Sequence, residues 1–111
     1  MDRQEAIVAE LARIKVAELV EGKATRLEGG PDGICVVRLS DGFHAIADRC
    51  SHADVALSEG DIDEFECTVE CWKHGSSFSL LDGCPQSLPA TRPVAVYAVR
   101  VDGDELVVSD Q

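Results

Sequence analysis

Cys50-Ser51-His52 and Cys71-Trp72-Lys73-His74, separated by residues 53–70, form two short loops, each with one thiol and one imidazole. Two Cys and two His are a complete ligand set for a metal centre. They suit either a structural zinc ion or a 2Fe–2S cluster with mixed ligation. A zinc finger usually places its Cys pair first and its His pair later. One Cys and one His in each loop is a division that a single tetrahedral ion does not need. A two-iron centre does need it, if one iron takes both sulfurs and the other both nitrogens.

The pattern Cys-x-His, a spacer of under twenty residues, then Cys-x-x-His resembles the Rieske family motif. The likeness continues into Gly75, Ser76 and Phe78 and into Leu88-Pro89-Ala90. It implies an all-β fold: a Rieske-like antiparallel β-sandwich or barrel, with a small cluster-binding subdomain formed by the two ligand loops. It also implies one Rieske-type 2Fe–2S cluster. Cys50 and Cys71 would bind the inner iron, and His52 and His74 the outer one, with imidazole edges toward solvent. Around them, Ser76 matches a position where a serine hydroxyl can donate to a cluster sulfur. Phe78 stands where high-potential members carry a tyrosine, Pro89 lies in the loop that covers the cluster, and Trp72 lies between two ligands. High-potential members also staple their ligand loops with a disulfide; Val55 and Lys73 occupy those positions here.

The ligand set dictates the redox behaviour expected. Two thiolates cancel the charge of the oxidised core, so reduction starts from a neutral site. That raises the potential relative to a four-thiolate ferredoxin. The missing tyrosine hydroxyl and the missing staple argue for the low end of the Rieske range, about −150 mV. Metal-bound imidazole is acidified, more so in the oxidised state, so the potential should fall as pH rises. Trp72 is either a plug that shields the cluster from water or an exposed contact for a partner. Lys73 is expected to be the only cation near the cluster loops.

The chain of 111 residues suffices for one domain with one core. No apolar run is long enough to span a bilayer, and Met1-Asp2-Arg3-Gln4-Glu5 is not the start of a signal peptide. The expected setting is the cytoplasm. Three of the five cysteines, Cys35, Cys67 and Cys84, are then free thiols, the first two as small buried hydrophobes and Cys84 in a turn. A net charge of −11 excludes nucleic acid as a partner and disfavours acidic lipid surfaces. It suits a basic protein face, or simply solubility.

Along the chain, Ile7, Val8, Leu11 and Ile14 are spaced as one helical face. Residues 1–13 read as an N-terminal extension, with a short helix over 2–13, and 14–111 as the Rieske domain. Ile14–Ala17 is the competing choice for a first strand. Glu18–Gly22 resembles the turn after the first strand of Rieske ferredoxins. From Lys23 onward the texture is β. Strands are expected over Lys23–Glu28, Ile34–Leu39, Phe43–Ala47, Phe65–Val69, Ser77–Leu81, Val94–Val101 and Glu105–Val108. Ser40-Asp41-Gly42 and Asp102-Gly103-Asp104 are hairpin signals. Cys67 should face inward by alternation. The spacer holds Asp54, Glu59, Asp61, Asp63, Glu64, Glu66 and Glu70 with no Lys or Arg. It reads as a solvated face or as a docking rim beside the cluster. His44 reads as an ordinary strand residue.

A terminal oxygenase would need two further histidines and a carboxylate for a mononuclear iron. Only one histidine remains after the cluster takes two. The resemblance therefore implies a stand-alone, non-enzymatic Rieske ferredoxin of an aromatic ring-hydroxylating dioxygenase system. Such a protein carries single electrons from a flavin-containing NAD(P)H reductase to the terminal oxygenase. Rival readings are a ferredoxin serving iron–sulfur assembly machinery, a zinc-stabilised structural or interaction module, and a sensor subunit of a larger reductase.

Overall fold

The computed structural model describes residues 9–51, 54–73 and 75–110. Nine strands order the described residues: β1 (Glu10–Lys15), β2 (Ala24–Leu27), β3 (Ile34–Leu39), β4 (Gly42–Ala47), β5 (Asp61–Asp63), β6 (Thr68–Glu70), β7 (Ser77–Ser79), β8 (Ala98–Asp102) and β9 (Glu105–Ser109). They form three three-stranded sheets, β1-β9-β8, β2-β3-β4 and β5-β6-β7. Every strand pair is antiparallel. This is the all-β architecture expected.

The middle sheet explains why β3 is so apolar. Ile34 and Val36 face one core, with Ala45 of β4 and Leu106 and Val108 of β9. Cys35, Val37 and Leu39 face a second core, with Ile46, Leu57, Val69, Phe78 and Leu80. Successive side chains of a strand point to opposite faces. A sheet covered on both sides must therefore be apolar at consecutive positions, and Ile34–Val37 are all fully buried. One core belongs to the sandwich with β1, β8 and β9. The other carries the small sheet that holds the cysteine loops.

The hairpin at Ser40–Gly42 closes as its sequence requires, with Leu39 opposite Gly42. Elsewhere the boundaries move. The helix expected over 2–13 is not found where the structure describes it: Glu10–Lys15 is β1, paired with β9 through Ala12↔Val108 and Ile14↔Leu106. Residues 1–8 lie outside the described residues. The ladder from β9 satisfies backbone groups that a short helix would leave open at both ends. The strand expected over Phe65–Val69 begins only at Thr68. Glu64–Cys67 is a turn, Phe65 is 93 % exposed, and Cys67 adopts a left-handed φ of 58°. Cys67 is half-buried rather than a strand residue facing inward. Val94–Val101 is likewise not one strand. Its first part is joined to β4 by Ala47 N donating to Ala95 O (2.9 Å) and Tyr97 N to Ala45 O (2.9 Å), and β8 starts at Ala98. Ser77–Leu81 forms a strand only to Ser79. Among the described residues no helix is long and apolar enough to cross a membrane.

Candidate metal centre

The first cysteine loop leaves the end of β4 and is held by a buried carboxylate. Asp48 is 2 % exposed. Its oxygens accept from Ser58 N (2.6 Å), Ser58 Oγ (2.7 Å) and the Arg26 guanidinium (3.0 Å). A buried carboxylate is tolerable only when its lone pairs are so occupied. Hydrogen bonds to Asp48 and then to Glu28 hold the Arg26 pKa above its ordinary value. Arg26 reaches Asp48 by lying over Gly33, where a Cβ would stand 2.6–2.8 Å from the guanidinium. Gly33 also has φ of +80°, which favours glycine. Asp48 N donates to Gly33 O (3.1 Å) and Cys50 N to Val55 O (3.0 Å), closing the turn around Cys50.

The second loop is a tight backbone turn after β6. Cys71 N donates to Ser76 O (2.7 Å) and Gly75 N to Cys71 O (2.8 Å), with Gly75 at φ +78°. A third segment bridges the two. Ala90 N donates to the fully buried Ser76 Oγ (2.9 Å), Ser77 N donates to Ser87 Oγ (3.0 Å), and Ser51 Oγ donates to Arg92 O. Leu88-Pro89-Ala90 thus lies beside the second loop, with Ala90 buried and Leu88 and Pro89 exposed.

The thiols of Cys50 and Cys71 are buried, form no disulfide, and share one apolar core with Phe78, Leu57 and Val69. His52 and His74 lie outside the described residues. The proton of Ser76 Oγ has no acceptor among the described residues. A buried hydroxyl seldom goes without an acceptor. Two buried thiols, a buried donor with no acceptor among the described residues and two imidazoles near them in sequence are a donor set that fits a mixed-ligand iron–sulfur cluster. Val55 and Lys73 carry no thiol, so no disulfide staple joins the loops at these positions.

The remaining thiols are not part of this arrangement. Burial pushes the pKa of Cys35, Cys67 and Cys84 up, with help from Asp48, Asp41 and Asp82 respectively. They stay protonated. Cys67 Sγ lies 3.9 Å from His44 Nε2, which also contacts Asp41 Oδ1 at 3.2 Å. Among the described residues no group of three such side chains could hold a metal ion.

Three expectations about the surroundings change. Trp72 is 55 % exposed and so is no plug. Lys73 is not the only nearby cation: Arg49 and Arg92 line a cleft of about 430 Å³ beside Cys50 and Ser51. The acidic spacer is not simply a rim around the cysteine loops. Glu64 Oε2 accepts from Ser40 N (2.9 Å), which ties the Glu64–Cys67 turn to the far end of β4. Six residues of strand, roughly 20 Å, separate that end from the first cysteine loop. Asp48 was the site residue that linear patterning did not single out. Its only local signal was a charged residue at the end of an apolar strand.

Residues 10–98 match the family model for the Rieske [2Fe-2S] domain. The chain belongs to the Rieske [2Fe-2S] family, whose cluster is the group this donor set fits. In sequence it is similar to the 3-phenylpropionate/cinnamic acid dioxygenase ferredoxin subunit of Escherichia coli (strain K12), 40 % identical over 84 % of this chain and 86 % of that one. In structure it is similar to the ferredoxin of carbazole 1,9a-dioxygenase from Nocardioides aromaticivorans IC177, with a TM-score of 0.84 and 32 % identity over 96 % of this chain and all of the other. A ferredoxin solved in complex with the oxygenase of carbazole 1,9a-dioxygenase superposes with a TM-score of 0.81 and 31 % identity, covering 95 % of this chain and 94 % of that one.

Proposed function

We propose that this protein is the one-electron carrier of an aromatic ring-hydroxylating dioxygenase system, working in the cytoplasm between a flavin-containing NAD(P)H reductase and a terminal oxygenase. Cys50, Cys71, His52 and His74 hold the cluster. When bound, the cluster supplies reversible one-electron chemistry. The chain's own residues do the rest. Leu57, Val69 and Phe78 keep water from the sulfur side, and Ser76 offers its hydroxyl proton to a cluster sulfur. Trp72 provides an exposed aromatic contact next to the ligand loop.

The observation that carries this reading is the pairing of two buried thiols with the buried Ser76 hydroxyl. The dioxygenase partnership is favoured over an iron–sulfur assembly partnership because the three relatives named above all come from dioxygenase systems. The test is EPR of the dithionite-reduced protein with iron and sulfide analysis. Two irons, two sulfides and a signal of lower average g than a four-thiolate cluster are expected. A colourless, zinc-loaded protein or a four-thiolate spectrum overturns the ligand assignment. Electron delivery is tested separately, by NADH-driven turnover of an aromatic-ring dioxygenase with its flavin-containing reductase when this protein is the carrier added.

A further inference from the structure

A fixed charge beside the cysteine loops acts on the reduced cluster more than on the oxidised one, because two thiolates leave the oxidised site neutral. Around the first cysteine loop such charges are matched. Asp48 holds Arg26 (3.0 Å), and Asp32 (3.7 Å) and Asp54 (3.4 Å) share Arg49. Arg92 lines the same cleft as Asp32 and Asp54. Opposite charges this close cancel much of each other's field farther away.

The second loop differs. Glu70 is the last residue of β6, between the buried Val69 and the buried Cys71. Alternation along the strand turns its side chain outward, and it is exposed. It nevertheless stays with the loop. A Cβ at Gly75, the residue after His74, would stand 3.6 Å from Glu70 Oε2. The carboxylate therefore lies against the turn that joins Cys71 to Ser76. Its side chain makes no ion pair or hydrogen bond among the described residues. Lys73, the cation of that loop, is exposed and does not pair with it.

The place of Glu70 in the sheet speaks against a stabilising role. Asp61 stands directly opposite it in the β5–β6 ladder, and both line one groove with Asp63 and Glu64. Like charges at facing positions destabilise a sheet. Neither pairing nor packing therefore accounts for an anion here.

We propose that Glu70 sets the potential: its carboxylate disfavours the reduced cluster and so raises the driving force with which this protein gives up its electron. The effect opposes that of the Ser76 hydroxyl. This rests on the mixed-ligand cluster reading above. It gives one member of the acidic spacer an electrostatic role at the cysteine loops.

The test is the midpoint potential of the cluster-loaded protein, measured by voltammetry at about 0.01 M and about 1 M salt, where the Debye lengths are about 30 Å and about 3 Å. At low salt Glu70→Gln should favour reduction about fivefold, a positive shift of about 40 mV at about 59 mV per tenfold for a one-electron couple. At high salt the difference should fall to about twofold or less. Glu70→Asp keeps the charge and should stay within about twofold of the wild type. Glu66→Gln, the same charge change in the Glu64–Cys67 turn, should do likewise. Removing one of two facing carboxylates should leave the urea midpoint of Glu70→Gln at or above that of the wild type. A shift that is absent, negative, equally large in Glu70→Asp, or unchanged by salt overturns the proposal. So does a lowered urea midpoint with an unmoved potential, which assigns Glu70 to structure alone. EPR keeps the two readings apart: a four-thiolate spectrum from the wild type rejects the ligand assignment, whereas a mixed-ligand spectrum with no shift rejects only the role of Glu70.

Discussion

The two cysteine loops reach the same core by different means. The first is fastened by charge: Asp48 behind Cys50 collects Ser58 and Arg26, and Arg26 in turn needs Gly33. The second is fastened by backbone: Cys71, Gly75 and Ser76 close on one another, and Ser76 reaches across to Ala90. A charged anchor depends on residues far apart in sequence and fails when one partner is removed. A backbone turn depends on a few neighbours and on glycine freedom. The difference shows that one cysteine loop is a product of tertiary structure and the other largely of local sequence.

The largest expected effect is on the charged anchor. Asp48→Ala strands Ser58 N and Oγ, while Arg26, which is partly exposed, retains access to water. The expected loss is about 2–4 kcal/mol, read as a lower urea midpoint at unchanged slope. If stability fell by less than about 1 kcal/mol, the contrast between the loops would disappear. Ser76→Ala probes the other side. It removes the acceptor of Ala90 N at a cost of about 1–3 kcal/mol. On the proposed reading it also removes a donor that favours the reduced cluster. The midpoint should move negative by about 40–60 mV, the equivalent of one hydrogen bond in a one-electron couple. A positive shift would rule out donation from Ser76.

Gly33→Ala sharpens the first loop's dependence on Arg26. A Cβ at φ +80° meets the guanidinium, so about 1–2 kcal/mol is expected. Pairing it with Arg26→Met should be less than additive if both act through Asp48. The smallest effect lies outside both loops. The side chain and then the backbone N–H of Ser40 hold the exposed Glu64 carboxyl below its ordinary value near 4.5. A depressed carboxyl pKa means that the tie is complete above that value and is lost as pH falls through the lower folded one. Protection of the Ser40 amide, taken relative to its intrinsic exchange rate at each pH, should therefore fall as the Glu64 carboxylate is protonated, with the protection of the Cys71 and Ala90 amides unchanged.

Much of this was legible in the chain because the signals are local. Ile34–Leu39 and the return from Gly42 follow from consecutive β-branched residues around an Asp-Gly turn. The ligand loops are visible because Cys and His recur at fixed offsets, whatever the fold. The N-terminal segment misled because Leu11 and Ile14 satisfy helical spacing, while Val108 and Leu106, which pair with Ala12 and Ile14, lie more than ninety residues away. Phe65–Val69 has strand composition, yet Thr68 must start β6 for Val69 to oppose Phe78 and Ile62. Register, not propensity, decides such a short strand.

What the amino-acid order determined unaided was the kind of centre and the class of fold, since thiolate and imidazole spacing and two-residue turns act over a few bonds. Tertiary structure alone decided which carboxylate stands behind Cys50, that Trp72 faces outward, and that the acidic turn lies away from the cysteine loops. Those depend on which distant strands pair and which face of a sheet is covered. Burial and Coulomb energy follow distance in space, and separation along the chain does not report it.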